Sequence, residues 1–341
     1  MTSPAIGVIV VTRDRADEIR ACVHSILSQA ADDVEVVVVL NGATPAVHRE
    51  VEHLAQADAR VRAVTITGRS ASKARNVGVQ ASGSDVLYFL DDDVMLPPHG
   101  LAVLRRLVGA MPEVGVFGGP NLTPPDDPDF AQMTGALLAS RWGSGIARPR
   151  YAARRAGEAH ESDLILCNLA VRRQVFRDGV SFPELFGGEE NALMGQAQHR
   201  GARMWYAPEL WVHHRRRRTF RGFVQQVHRY GWGRANAIAF APRTVRLAYF
   251  VPVAFAGYLL LLVPGTVVLG APAWLPVAAY GLGSVTAAAR ICAAHRRPAW
   301  LVPLVALYPV THLAYASGLA KQLLRLLLRR LRRTTRTPST P

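Results

Sequence analysis

The sequence predicts a doubly wound α/β sheet followed by a membrane-associated carboxyl-terminal third. Three observations carry this reading. Short β-branched runs alternate with helically periodic segments from residue 6 to residue 90. The fourth such run ends in three consecutive carboxylates, Asp91, Asp92 and Asp93. Beyond residue 245 the chain is almost wholly apolar between blocks of arginine.

Ile6–Val11 (IGVIVV) is a continuous β-branched run, as expected of a parallel strand buried on both faces. Asp17–Gln29 carries Ile19, Cys22, Val23, Ile26 and Leu27 at helical spacing. Val34–Leu40 is a second buried strand, ended by Asn41-Gly42. Helix is expected over Val47–Ala57, strand over Val61–Ile66, and helix over Ser72–Ala81. Asp85–Leu90 is then the strand that delivers the carboxylates. In such sheets ligands bind at the carboxyl ends of the strands. Neither GxGxxG after the first strand nor GxxxxGK[ST] occurs, which removes the usual support for dinucleotide or P-loop binding. Residues 120–163, rich in Pro, Gly and charge, read as a variable excursion, and order returns from Leu164 to about Trp211.

The 341 residues carry a formal charge of +15, which favours anionic partners. The last acidic residue is Glu209, so the basic excess lies in the carboxyl-terminal part. Cys22, Cys167 and Cys292 stand apart from any CxxC pattern, which argues against a disulfide framework or a zinc site. The amino-terminal stretch has no basic leader with a signal-length apolar core, so the first domain is expected to stay cytoplasmic.

Leu247–Leu269 approaches the ~20 apolar residues that span a bilayer. Trp274–Ala294 is a second span, and Trp300–Leu319, interrupted by Pro303, Pro309 and His312, is a third apolar segment. Arg215–Arg218, Arg243 and Arg246 precede the first span, and Arg296-Arg297 follows the second; both flanks are expected on the cytoplasmic side. A third full crossing would expel the basic tail, so the segment at about 299–319 is expected to be re-entrant or in-plane, with residues 321–341 on the lipid surface. The expected domains are therefore 1–240, with 215–240 as an interfacial basic helix, and a membrane region over 245–320.

Strand-end carboxylates suit a hard divalent cation such as Mg²⁺ or Mn²⁺, which would offset their repulsion and hold a diphosphate. In an extended chain Asp91 and Asp93 point the same way and Asp92 turns aside. A solvated turn capped by Asp is the plain alternative. Glu189-Glu190, after Gly187-Gly188, offers a carboxylate that can act as a general base, or simply an acidic helix start. Arg75, near a helix start, is placed to clamp a phosphate. His213-His214 follows an apolar-aromatic strand and offers imidazole to a metal, or plain structural packing.

Together these blocks resemble the inverting glycosyltransferases of family 2, whose GT-A fold is a Rossmann-like, doubly wound mixed sheet. VVTRDRADEIRACVHSILSQ is similar to the family's opening strand and helix, and SKARNVGVQASGSDVLYFLDDD to the block ending in its Asp-x-Asp motif. CNLAVRRQVF and FGGEENALMGQAQHRG resemble its acceptor-side strand and catalytic-base motif. The resemblance covers roughly residues 5–240. It implies that Thr12, Asp14 and Asn41 lie near the nucleobase, and Arg75, Asp91 and Asp92 near the donor. Asp91, Asp93 and His213 would hold the metal, with His214 as the other candidate. Glu190 would be the base with Glu189 before it. Leu40-Asn41 stands where the family usually has an Asp motif, which leaves the donor nucleotide open. Gln226, Arg229 and Tyr230 resemble the Gln-x-x-Arg-Trp motif of processive members, with Tyr for Trp, and imply an acceptor or interface role.

The resemblance thus implies a metal-assisted transferase at the inner (plasma) membrane, moving sugar from a nucleotide-sugar to a hydroxyl of a lipid-linked or polysaccharide acceptor. One rival loads sugar onto polyprenyl phosphate. Another is a non-catalytic basic protein of the membrane surface. Nucleic acid is not expected as a partner, because the basic runs lack interleaved aromatics. A relative that binds nucleotide without turnover is the remaining alternative.

Overall fold

The computed structural model describes residues 4–29 and 33–334, and all statements below concern these residues. The expected alternation is present: β1 (Ile6–Thr12), α1 (Ala16–Leu27), β2 (Val34–Asn41), α2 (Pro45–Ala57), β3 (Val61–Ile66), α3 (Ala71–Ala81) and β4 (Val86–Asp91). Then follow β5 (Val94–Met95), α4 (Gly100–Ala110), β6 (Val114–Gly118), β7 (Asn121–Leu122), α5 (Asp129–Ala139), α6 (Arg141–Ser144) and β8 (Gly157–Glu158). β9 (Leu169–Arg172), α7 (Arg173–Arg177), α8 (Glu189–His199), β10 (Arg203–Tyr206) and β11 (Val212–His214) complete the strand-bearing part.

Eight strands form one sheet in the order β3-β2-β1-β4-β9-β6-β10-β8. β1, β2, β3 and β4 are parallel, whereas β9 runs antiparallel to both β4 and β6. The sheet is therefore mixed and the order reverses direction beside β1, where β4 lies opposite β2. Alternation along the strands feeds two cores. Val8, Val10, Val36 and Val38 face one, and Ile9, Val37 and Val39 the other. Both faces are dry, which is why these strands read as unbroken β-branched runs. A second sheet, β5-β11-β7, sets β11 antiparallel to β5 with His214 opposite Val94.

The chain divides into two compact units. The first takes in residues up to Gly135, Ile146–Glu184 and Leu193–Arg216; the second takes in Ala136–Gly145, Leu185–Ala192 and everything from Arg217. The sequence reading puts boundaries near residues 240–245 and near 320. The division into units falls earlier than the first of these because the helix after Arg217 packs against the hydrophobic helices that follow it.

That helix is α9 (Phe220–Phe240), succeeded by α10 (Val251–Leu260), α11 (Leu262–Leu269), α12 (Leu275–His295) and α13 (Leu301–Thr334). Two helical stretches, 271–295 and 298–332, are long and apolar enough to cross a membrane, or three if the pair α10 and α11 counts as one. That pair is bent by 62°. The helical break thus falls in the first apolar segment, while the third is one continuous helix through Pro309. Residues 335–341 of the basic tail lie outside the described residues.

Candidate active site

β4 ends at Asp91, and the chain turns through Asp92 and Asp93 before β5 resumes. The carboxylates separate as expected, but a turn achieves it instead of a continued strand. Asp92 is buried, accepting a hydrogen bond from Thr12 Oγ1 at 2.9 Å and another from Arg15 Nη1 at 2.9 Å. Burial pushes its carboxyl up to about 7, against the pull of the Arg15 charge. Arg15 also pairs with Asp93 Oδ2, so one guanidinium ties the two neighbouring carboxylates.

Asp93 meets His214 on its other side, with Oδ1 3.1 Å from Nε2. Ligand atoms of Asp91, Asp93 and His214 all lie within 4.8 Å of one another. Two carboxylate oxygens and one imidazole nitrogen make a donor set that fits a divalent cation of the Mn²⁺ kind. His214 is itself oriented: its Nδ1 lies 3.8 Å from Cys167 Sγ, which receives a hydrogen bond from Asn121 Nδ2 at 3.2 Å. Burial alone would lower the His214 pKa, but the Asp93 charge outweighs it and raises the value well above the ordinary one.

The histidine of the cluster is His214, and the expected ligand His213 is turned away. On a strand, successive side chains face opposite ways. The His213 ring packs on Trp211 at 4.9 Å, on the side of Asp126 and Asp127, and burial lowers its pKa. The start of the arginine run is also engaged there. Arg215 pairs with Asp126 and Asp127, and the buried Arg216 donates to the Asn121 carbonyl, Asn121 Oδ1 and Thr123.

Arg75 Nη2 stands 3.6 Å from Asp91 Oδ1, and its guanidinium lies 5.9 Å from the Phe182 ring centre. Phe182 is held by Asn76, which exchanges two hydrogen bonds with its backbone. Asn41 ends β2 with its Oδ1 buried and unpartnered among the described residues. Asp14 is apart from the carboxylates, paired at the surface with Arg13 at 2.8 Å, a bond that lowers its pKa. Sequence reasoning missed Arg15, because an arginine before a helix carries no signal until its reach to another strand end is known.

The second unit holds the other predicted residues. Glu189 and Glu190 open α8, and Asn191 Nδ2 donates to Glu190 Oε1 at 3.0 Å. Gln226, Arg229 and Tyr230 lie on α9, with Arg229 exposed. Later in the helix, Arg234 donates to Asn191 Oδ1 at 3.3 Å, and Asn236 Nδ2 to the Phe186 and Gly187 carbonyls at 3.0 and 3.1 Å.

A mixed, Rossmann-like sheet with an Asp-x-Asp turn at a strand end, completed by a histidine, is the GT-A architecture of a glycosyltransferase. The sequence profile of glycosyl transferase family 2 matches residues 7–180, just over half of the 341 residues, and the chain belongs to that family. It is 26% identical over 109 residues to EpsH and 30% identical over 90 residues to EpsJ, both assigned as glycosyltransferases of Bacillus subtilis (strain 168). Those stretches are 32% and 26% of each chain, so this protein spans about a third or less of the curated relatives it matches. The fold is similar to that of the mannosyltransferase PcManGT from Pyrobaculum calidifontis, solved in complex with GDP-Man and Mn²⁺. The TM-score is 0.62 at 22% identity, covering 95% of this chain and 88% of the other.

Proposed function

We propose that this protein is a membrane-anchored, metal-assisted inverting glycosyltransferase that moves a sugar from a nucleotide-sugar to a hydroxyl of a lipid-linked or polysaccharide acceptor. The observation that carries the reading is the Asp91, Asp93 and His214 cluster at a strand end of a family 2 chain. Those three residues would hold the cation. When bound, it offsets negative charge on the departing nucleoside diphosphate. Arg75 adds a fixed positive charge beside Asp91 for the same diphosphate. Until the cation takes Nε2, His214 holds Asp93 in one orientation, and Cys167 stays behind the ring at Nδ1. Glu190 takes the proton of the acceptor hydroxyl as its oxygen attacks the anomeric carbon. The bond from that carbon to the diphosphate oxygen breaks in the same displacement, so configuration inverts without a covalent sugar–enzyme intermediate.

Membrane anchoring rests on exposed apolar side chains concentrated in the last third, among them Leu260, Val263, Val267, Val268 and Val302, each more than 70% exposed. The bend suggests a topology that resolves the charge conflict of the tail. α13 meets α9 along residues 315–322, where His228 Nδ1 is 2.9 Å from Ser317 Oγ and Gln322 donates to Asn236. α12 begins beside the end of α10, with the Tyr258 hydroxyl bonded to the Ala273 carbonyl. The bent pair then enters and returns, α12 crosses outward, and α13 crosses back. The basic end of α13 lies with α9 on the cytoplasmic face of the inner membrane, and of the arginines that flank the spans Arg296 and Arg297 face outward. Single cysteines at Ala299 and Leu331 test this with a membrane-impermeant maleimide: labelling of 299 from outside and 331 from inside is expected, and the reverse would restore a full first span.

The transferase reading is tested by nucleotide release from the detergent-solubilised protein supplied with GDP-, UDP- and dTDP-sugars and membrane lipid extract, with and without Mn²⁺. Release from one donor that needs both the metal and Asp93 is expected. No release from any donor would point to a binding-only protein. Full activity of Glu190→Gln on polyprenyl phosphate would favour the sugar-loading alternative, since a phosphate nucleophile needs no base.

A further inference from the structure

We infer that α9 and α13 position Glu190: Asn236 and Gln322 hold the turn that carries it, and Arg234 with Asn191 aims its carboxylate. The inference rests on the assignment of Glu190 as the base, and all the residues it uses lie in the second unit.

The turn before Glu189 is conformationally exceptional. Gly187 and Gly188 both lie in the left-handed region, with φ of 82° and 81°. Only glycine adopts two such steps in succession cheaply. Gly188 also has no room for a side chain, because an added Cβ would overlap the Gly233 carbonyl of α9. A Cβ on Gly233 would in turn lie 2.8 Å from the Gly188 nitrogen. Turn and helix therefore touch backbone to backbone.

Two glycines at successive positions do not by themselves fix peptide orientation; the hydrogen bonds do. Asn236 donates to the carbonyls of both Phe186 and Gly187. Those acceptors consume both N–H groups of its amide, so its Oδ1 needs a donor, and Gln322 Nε2 of α13 supplies it at 2.6 Å. Asn236 and Gln322 are each 6% exposed. Burying an amide is costly unless it is paired. Asn236 is paired at both ends, with the turn and with Gln322 Nε2, while Gln322 Oε1 has no partner among the described residues. The peptide planes that set the direction of the first turn of α8 are thus tied to α13 through one side chain.

A second line runs to the carboxylate itself. Arg234, also buried and stacked 4.1 Å from the Tyr249 ring centre, donates to Asn191 Oδ1. This orients the Asn191 amide so that its Nδ2 donates to Glu190 Oε1. Behind α9, Gly231 and Gly318 permit an equally close crossing with α13: a Cβ on Gly231 would meet the Tyr315 carbonyl, and one on Gly318 the His228 carbonyl. Gly231 and Gly233 are two residues apart, on roughly opposite faces of the helix. α9 is pressed between the Glu190 turn on one side and α13 on the other.

The test uses the full-length protein in lipid nanodiscs with the near-isosteric variants Asn236→Asp and Gln322→Met, beside Glu190→Gln and the corresponding double variants. Asp cannot donate to the two carbonyls, and Met cannot donate to Asn236. A displaced base should lower kcat roughly 10- to 100-fold. The expected signature is that loss in both variants, with donor KM and donor Kd within twofold of wild type. In the Glu190→Gln background neither substitution should cost anything further, because groups acting as a unit are non-additive. Wild-type kcat in Asn236→Asp and Gln322→Met beside an inactive Glu190→Gln would overturn the positioning role and leave the base assignment standing. Losses that multiply with that of Glu190→Gln, or that appear as weakened donor binding, would also overturn it. Full activity of Glu190→Gln would instead remove the base assignment itself.

Discussion

His214 Nε2 lies 3.1 Å from Asp93 Oδ1, and the far nitrogen of the same ring faces the Cys167 thiol. The imidazole is therefore held at both ends before any ligand arrives, and it holds in place a carboxylate from the turn that leads into the neighbouring strand β5. Preorganisation of this kind sets metal affinity.

Substituting Asp93→Asn or His214→Ala should weaken Mn²⁺ binding by about 10-fold or more, and Cys167→Ala by less. Titration followed by the electron paramagnetic resonance of free Mn²⁺ measures this directly. Weakened binding in His213→Ala with unchanged binding in His214→Ala would reverse the ligand assignment.

Arg15 acts as the internal counter-charge of the Asp92-Asp93 turn. Its removal leaves the buried Asp92 and half-buried Asp93 carboxylates without their shared cation, and Arg15→Ala should cost the metal-free protein about 2 kcal/mol, the usual worth of a hydrogen-bonded charge. Mn²⁺ should then raise the melting temperature by more than it does in the wild type, because the cation takes over that charge. An unchanged melting temperature without metal would contradict this.

Glu35 closes the turn before β4, accepting hydrogen bonds from Ser82, Gly83 and Ser84. Partial burial alone would raise its pKa, but those bonds prevail and lower it. A lowered folded-state pKa gives stability that is present above the unfolded value and lost as pH falls through the folded one. Glu35→Gln should therefore be destabilising at neutral pH, by about 1 kcal/mol. The gap to wild type should close as denaturation is repeated at progressively acidic pH. A gap independent of pH would show that charge plays no part.

Gly231→Ala places a methyl against the Tyr315 carbonyl, which cannot move without shifting α13. A loss of about 3 kcal/mol, at the upper end of ordinary overpacking, is expected in thermal unfolding in detergent. Gly257→Ala, where an added Cβ meets nothing within 4 Å, is the matched control and should be neutral or mildly stabilising.

Much of the first unit was legible in the sequence because its strands are buried on both faces. β3 matches its expected bounds, β1 and β2 run one residue longer, and β4 is shifted by one residue at both ends. The carboxylate cluster was legible for the same reason, since strand ends in such sheets carry ligands. The choice between His213 and His214 was not, because it depends on the parity of a three-residue strand fixed only by its pairing with β5. Arg15, Arg234, Asn236 and Gln322 were invisible for a related reason: each acts over a distance in sequence that no local pattern encodes. The first apolar segment hid its bend because hydropathy measures composition and not direction.

The assignment of residues 185–192 to the second unit has a consequence for any attempt to dissect the protein. A fragment ending at Arg216 would retain Asp91, Asp93 and His214 but lose every helix that braces Glu190. Such a fragment is expected to behave as a nucleotide-sugar receptor, competent to capture its ligand and inert toward it. On the proposed reading, the hydrophobic third does more than tether the protein, and another anchor could not replace it. Exchanging it for an unrelated one would separate recognition from turnover.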